Sequence, residues 1–311
     1  HKAEARDTGR FVGLSRAKIN NVVTLIDGRK LMADLFDRNT LFCRMIGLLT
    51  QEQLDSLERK TVAFAGAGGV GFTHAESIVR EGIGGAKISD FDAFGAENMG
   101  RQFGCSTLTV GRDKAEVLEE RLKTINPALR INRIGAITRE NVGQFLDGVD
   151  IACDAIDYFS IEPHRLYHAE AHRRGVPSVL GAPQGYGATL HFFHPDHMSF
   201  DEYFDLHDGQ PESEQMENWG EGLGPAQLYR HYLSNRNLDV HNKTGSVISA
   251  VCLLSTALVS AVVLRYLLGQ ESAFKPVPYI YHIDLVAGRF EEMYVPEGSR
   301  GIRADPGKYL R

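Results

Sequence analysis

The chain of 311 residues has only four cysteines, Cys43, Cys105, Cys153 and Cys252, and no C-x-x-C pair. That excludes the usual four-cysteine zinc site and gives no disulfide framework, so reduced thiols in a cytoplasmic protein are the expectation. A basic balance is also missing. The net charge of -6 argues against a nucleic-acid binder, which would show a basic face. The first residues lack the charged-then-apolar pattern of a signal peptide. Long hydrophobic runs are confined to Val247–Leu264, broken only by Ser249, Ser255, Thr256 and Ser260. Its length is marginal for a membrane span and its flanks lack anchors, so a helix buried between a sheet and a subunit interface is expected, with no membrane partner. No internal repeat or low-complexity tract is present.

What is present begins at Thr61-Val62-Ala63-Phe64-Ala65-Gly66-Ala67-Gly68-Gly69-Val70-Gly71. The apolar, β-branched start reads as a buried strand, and the glycines break it. Helical spacing resumes over His74–Arg80, making the glycines a strand-to-helix turn. Glycine lets the backbone approach a phosphate, which the unpaired N–H groups of a helix N-terminus hold. About twenty residues on, Asp90 ends the apolar run Ala86–Ser89, where a ribose hydroxyl wants a carboxylate acceptor. A nucleotide site follows from this order; which nucleotide does not.

Along the chain, Asn21–Ile26, Asp27-Gly28 and Arg29–Leu35 carry a hairpin signal, a small N-terminal arm over residues 1–43. It could grip a partner or pack on a second subunit. Thr50-Gln51-Glu52-Gln53 is a capping box for a helix running to about Arg59. Beyond the glycine turn, strands and helices alternate: a helix over Gly111–Lys123, a strand at Ala128–Ile134, a helix at Thr138–Leu146 and a strand at Val149–Cys153. A helix over Pro163–Arg174 and a strand at Pro177–Leu180 follow. The alternation predicts an α/β, Rossmann-like fold with a mainly parallel central sheet and helices on both faces. Ala188–Phe193, Tyr279–Leu285 and Glu291–Val295 are further strands. Residues 204–245, polar with one helix-like piece near Gln227–Leu233, read as a long crossover loop, a lid or disorder.

The residues after Asp90 narrow the chemistry. Asn98, Arg101 and Gln102 share one loop, and Lys114 lies in the first turn of the next helix. A cation at that end opposes the helix dipole, so an anionic neighbour is expected. Amide, guanidinium and ammonium converging on a strand end suit a triphosphate and departing pyrophosphate. Asp157, after a later strand, faces the same crevice, as a magnesium ligand would. His74, His164, His168 and His172 read as helix-surface or partly buried residues, none of them a catalytic base. Cys252 reads as core rather than nucleophile.

With these residues in view, the chain resembles the ubiquitin-activating-enzyme-like family, the ThiF and MoeB type of adenylyltransferase. The matching motifs are Gly66-x-Gly68-Gly69-x-Gly71, Asp90-Phe91-Asp92, Asn98-x-x-Arg101-Gln102, Gly111-Arg112-x-Lys114, Ile125-Asn126-Pro127 and Asp154-Ala155-Ile156-Asp157. They extend from about Arg44 to Leu268, within an adenylation domain of residues 44–311. The resemblance implies ATP and Mg²⁺ as cofactors, with Asp90 on the ribose, Asn98, Arg101 and Lys114 on the phosphates, and Asp157 on the metal. It also implies a homodimer in which Arg44 reaches the nucleotide of the other subunit. Three features depart from the family. Ser199-Phe200-Asp201-Glu202-Tyr203-Phe204 stands where zinc-binding members carry a cysteine pair, so no zinc is expected. The loop 204–245 has no cysteine for thiol transfer, and Tyr158 replaces the usual asparagine. The implied activity is ATP-dependent activation of a carboxylate, on a peptide or small modifier protein, as an acyl-adenylate with release of pyrophosphate. A Rossmann-type NAD(P) or FAD oxidoreductase and a non-catalytic nucleotide-sensing dimer are the alternatives.

Overall fold

The computed structural model describes residues 36–233, 238–239, 244–270 and 274–310. The chain divides into two compact units, residues 1–43 and 44–311. Of the first, residues 36–43 are described: Asp37 caps a short helix, Arg38–Phe42, its Oδ1 accepting from the N–H groups of Asn39 and Thr40. The hairpin expected over Asn21–Leu35 lies outside the described residues.

In the second unit, Thr50 and Gln53 form the expected capping box for α1 (Gln51–Leu57). Thr50 Oγ1 accepts from the Gln53 N–H at 3.2 Å, and Gln53 Oε1 from the Thr50 N–H at 2.9 Å, so two orphan donors are satisfied reciprocally. Then β1 (Thr61–Ala65), α2 (Gly69–Arg80), β2 (Gly85–Ser89), α3 (Lys114–Ile125), β3 (Arg130–Ile134), α4 (Val142–Phe145), β4 (Ile151–Asp154), α5 (Ile161–Arg173) and β5 (Ser178–Gln184) alternate. Their strands run parallel in the order β5-β4-β1-β2-β3. α4 is shorter than the helix expected over Thr138–Leu146. Asn141 Oδ1 takes the Thr138 N–H at 2.8 Å, a local side-chain turn that competes with the helix.

β5 turns through Gly185-Tyr186 into β6 (Gly187–Phe193), and the sheet continues antiparallel through β9 (Tyr279–Asp284) and β10 (Arg289–Tyr294). The complete order is β10-β9-β6-β5-β4-β1-β2-β3, eight strands and mainly parallel at its core. β1 shows why both faces need helices. Val62 and Phe64 pack with α2, α3 and a long helix from the C-terminal half, while Ala63 and Ala65 pack with α4 and α5. All four are fully buried, as period-two alternation requires of a strand covered on both sides.

The stretch expected as a long crossover loop, residues 204–245, holds more structure than its composition suggests. After α6 (Phe200–Phe204) comes a twelve-residue helix, α7 (Glu212–Leu223), then a 3₁₀ turn, Leu228–His231, and a two-stranded ribbon of β7 (Leu238–Asp239) and β8 (Thr244–Gly245). α7 hides Asn218, Trp219, Gly222 and Leu223. These four fall in one or two turns, too sparse a stripe to show as helical periodicity among the surrounding acids and amides. Trp219 joins Phe200, Phe204, Phe193 and Leu180 in a separate core.

α8 (Ser249–Leu267) is long and apolar enough to cross a membrane by length and composition. In this fold it lies against α2, β5 and β6 and buries Val251, Cys252, Val259 and Val263. Two short helices, α9 (Gly298–Ala304) and α10 (Pro306–Tyr309), complete the chain.

Candidate active site

Sheet register assembles the site. Ala65 pairs with Ser89 on one side and Asp154 on the other, so β1, β2 and β4 end level. The turns beyond them are tied together: the Gly66 N–H donates to Ser89 O at 2.7 Å, and the Ala155 N–H to Ala65 O at 2.8 Å. Gly66 sits at φ +104°, where a Cβ would lie 2.2 Å from the Ala155 carbonyl oxygen. A Cβ on Gly71 would lie 2.0 Å from the Gly66 carbonyl oxygen. No side chain fits either position. Gly71 thus closes the turn from below, whereas Gly66, Gly68 and Gly69 line a cavity of about 790 Å³.

Asp90, Asp92, Arg101, Gln102, Lys114 and Asp157 line the same cavity. Asp90 accepts from the Ala67 N–H at 2.6 Å and the Asp92 N–H at 2.8 Å, which fixes its carboxylate across the glycine turn. Burial raises its pKa above the ordinary value despite those bonds. The anionic neighbour expected for Lys114 is Asp92, whose Oδ2 lies 3.0 Å from Nζ. Arg101 Nη1 lies 3.4 Å from the Glu97 carbonyl. Gln102 is buried and its Oε1 has no hydrogen-bond partner among the described residues. Asp157 is exposed, with Oδ1 accepting from the Phe159 N–H at 3.0 Å. Besides Gly71, two expected site residues stand apart from the cavity. Asn98 is buried and accepts from the Gly95 N–H at 3.1 Å, shaping the loop rather than lining the cavity. Arg44 is exposed in the turn Cys43–Met45, also outside the cavity wall.

The N-terminus of α2 faces this space without a side-chain cap. Its free N–H groups and the positive end of the helix dipole form an anion site beside Lys114 and Arg101. Cys252 comes from the first turn of α8, its Sγ 3.4 Å from the position a Gly69 Cβ would take. Burial pushes its thiol up to about 11, which suits core packing and not a thiolate nucleophile.

The histidines correct the sequence expectation. His74, His164 and His168 are buried rather than on helix surfaces. His164 Nδ1 lies 2.5 Å and His168 Nε2 2.8 Å from the same oxygen, Asp154 Oδ2. These ligand-type atoms fall within 4.8 Å of one another, the spacing of a metal centre. Each is already engaged, however: His164 Nε2 with the Asp157 carbonyl at 3.1 Å, His168 Nδ1 with Ser178 Oγ at 2.7 Å, and Asp154 Oδ1 with the Ile156 N–H at 2.9 Å. Burial pushes the Asp154 carboxyl up, but the charge of His164 and the bonds from both rings bring it below the usual carboxylate range. The cluster is a satisfied hydrogen-bond network. A histidine pair at i and i+4 after a strand ending in aspartate is the sequence signal that could have found it. Trp219 has none. Its ring lies 4.8 Å from His164 and its Nε1 donates to the Tyr158 carbonyl at 3.0 Å.

A parallel sheet, a glycine turn at the end of β1 and a charged cavity over the strand ends define a Rossmann-like α/β protein of nucleotide-binding design. The chain belongs to the ThiF family, which matches residues 40–301. The tRNA threonylcarbamoyladenosine dehydratase of Haemophilus influenzae is 33% identical over 137 residues, 43% of this chain and 52% of that protein. The sulfur carrier protein adenylyltransferase of Thermus thermophilus is 32% identical over 145 residues, 46% of this chain and 52% of that protein. The chain thus spans about half the length of the curated relatives it matches. Among solved structures, the microcin C7 biosynthetic enzyme MccB of E. coli shares the fold with a TM-score of 0.61 at 16% identity, over 91% of this chain and 84% of that one.

Proposed function

We propose that this chain is an adenylyltransferase that activates a carboxylate with ATP. The observation that carries the reading is the convergence of the uncapped α2 N-terminus, Asp90, Arg101, Gln102 and the buried Lys114 on one cavity. A nicotinamide enzyme needs no paired cations at that place. The unpartnered Gln102 Oε1 is a buried acceptor for which the described residues supply no donor. Family names point the same way, since a relative is called an adenylyltransferase and MccB has been solved with ATP.

In the reaction, a carboxylate oxygen of the substrate attacks the α-phosphorus. A new phosphorus–oxygen bond forms as the bond to the bridging oxygen breaks, and pyrophosphate leaves with the electron pair. Lys114 and Arg101 offset the charge gathering on the phosphoryl and departing oxygens, and the α2 amides hold the phosphates in line. Asp90 takes a ribose hydroxyl. The exposed carboxylate of Asp157 fits a hard divalent cation, and Mg²⁺ held there would add charge neutralisation on the triphosphate. Asn98 acts indirectly, through the shape of its loop.

The substrate carboxylate belongs to a peptide or a small modifier protein. MccB, solved with N-formylated MccA, and the sulfur-carrier adenylyltransferases are the relatives that support this choice. A homodimer, with Arg44 of one chain reaching the nucleotide of the other, gives that exposed arginine a role. No zinc takes part in this reading, and the supply of ATP goes with a cytoplasmic location. Exchange of labelled pyrophosphate into ATP, tried with candidate peptides and carrier proteins, is the test. ATP binding without exchange for any carboxylate would leave the sensing reading instead.

A further inference from the structure

The turn that carries Asp157 is held by its backbone. Two successive carbonyls, those of Asp157 and Tyr158, accept from the ring nitrogens of His164 (3.1 Å) and Trp219 (3.0 Å). The Asp157 carbonyl takes a second bond from the Ser160 N–H at 2.9 Å. The two rings touch, with centroids 4.8 Å apart and planes tilted by 43°. His164 cannot slide away from this contact, because its other nitrogen donates to buried Asp154, which is also held by His168, itself bonded to Ser178 Oγ. Trp219 cannot slide either. It is 1% exposed, and its helix is pinned through Asn218, whose Nδ2 donates to Asp205 O at 2.8 Å and whose carbonyl accepts from Ser299 Oγ at 2.7 Å. Both His164 and Trp219 lie in the cavity wall. A close-packed contact with every polar atom engaged passes displacement on instead of absorbing it.

We propose that His164 is a positioning residue that couples the Asp157 turn to the seat of Trp219 on α7, so that a divalent nucleotide complex engaged by Asp157 is felt at Trp219. This coupling rests on the nucleotide reading of the site. It explains why a histidine is buried here, since the part of the cavity wall contributed by α7 is then set by the state of the nucleotide end. A carboxylate substrate pressing on that wall would in turn alter the hold on ATP, because coupling between two ligands is reciprocal.

Trp219 is the only tryptophan in the chain, so its emission reports this seat without labelling. The experiment titrates the full chain with ATP plus Mg²⁺ and with ATP plus EDTA, following tryptophan emission and, in parallel, heat of binding. Emission is expected to change with Mg²⁺ present and to lose most of that change under EDTA, where calorimetry still records ATP binding. In His164→Ala the change is lost. His164→Gln, which keeps an amide donor for the Asp157 carbonyl, recovers part of it. Equal emission changes with and without Mg²⁺ in the unsubstituted protein, or none at all, would overturn the coupling without recourse to any variant. So would a His164→Ala protein that keeps the full change, or a His164→Gln protein no better than alanine. No heat with ATP under either condition overturns the nucleotide reading itself, and the coupling with it.

Discussion

Lys114 and Asp92 form a lopsided pair: 3.0 Å separates Nζ from Oδ2, yet 9% of the lysine side chain is exposed against 53% of the aspartate's. The cation is fixed in the cavity wall while its partner remains in water. A phosphate oxygen entering the cavity meets an ammonium already aimed and largely desolvated, and water can take over from it at Asp92.

Removing that ammonium is therefore expected to cost more in turnover than in folding. Lys114→Ala should lower kcat/KM for ATP in pyrophosphate exchange by about 100-fold or more, the usual size for loss of one preorganised charge. Asp92→Asn leaves the ammonium in place with a weaker guide, and a loss of roughly tenfold is expected. Equal losses in the two variants would count against Lys114 as the phosphate contact.

Asp157 tests the divalent ion. Chelation with EDTA should abolish pyrophosphate exchange, and Mg²⁺ should restore it. In Asp157→Asn, exchange should stay low at every Mg²⁺ concentration, because an amide oxygen is a poor substitute for a carboxylate at a hard cation. Unchanged Mg²⁺ dependence in that variant would move the metal site elsewhere.

Gly66→Ala addresses the turn itself. The new methyl meets the Ala155 carbonyl oxygen at 2.2 Å from a backbone at φ +104°. Strain of about 1–3 kcal/mol from the dihedral alone should lower the melting temperature by roughly 2–6 °C, and the clash adds to this or prevents folding. Gly68→Ala is the control. Its methyl would touch only the Gln102 side chain, at 3.6 Å, so loss of ATP binding with little change in melting is expected.

Half-buried Glu81 and buried His74 each contribute to the pH dependence of stability. Burial pushes the Glu81 carboxyl up to about 8 from an ordinary 4.5. Between those values the unfolded chain binds fewer protons than the folded one, so stability falls as pH rises through this window. Burial pushes His74 down to about 3 from 6.5. Over that interval the unfolded chain binds the extra proton, and stability falls as pH is lowered. Urea midpoints measured against pH should show both limbs. Glu81→Gln should flatten the alkaline limb and His74→Gln the acid one, each by as much as a few kcal/mol at about 1.4 kcal/mol per pKa unit.

The parts of this fold that sequence reveals are those written in local chemistry. The Thr50 capping box, the glycine turn and Asp90 each signal their own place, and the alternation from Thr61 to Leu180 implies the parallel half of the sheet. The antiparallel half is harder to order, because β6, β9 and β10 are joined by pairings between residues far apart in the chain. α7 escapes a reading of periodicity because its stability comes from Trp219 reaching a distant core, with little helical pattern of its own. The Asp154–His164–His168 network hides for a related reason: polar residues on a helix read as surface until a buried partner is known.

The shared ending of β1, β2 and β4 has one more implication. Gly66, Asp90 and the residues leading to Asp157 are spaced by backbone ladders, and a slip of one residue in any of the three strands would turn its side chains to the opposite face. The nucleotide end is therefore as stiff as the sheet, whereas α7 is held by side-chain bonds, such as those of Asn218 with Asp205 and Ser299, and not by a strand ladder. Substitutions on α7 can therefore reshape the wall that Trp219 contributes without shifting the register that spaces Gly66 and Asp90.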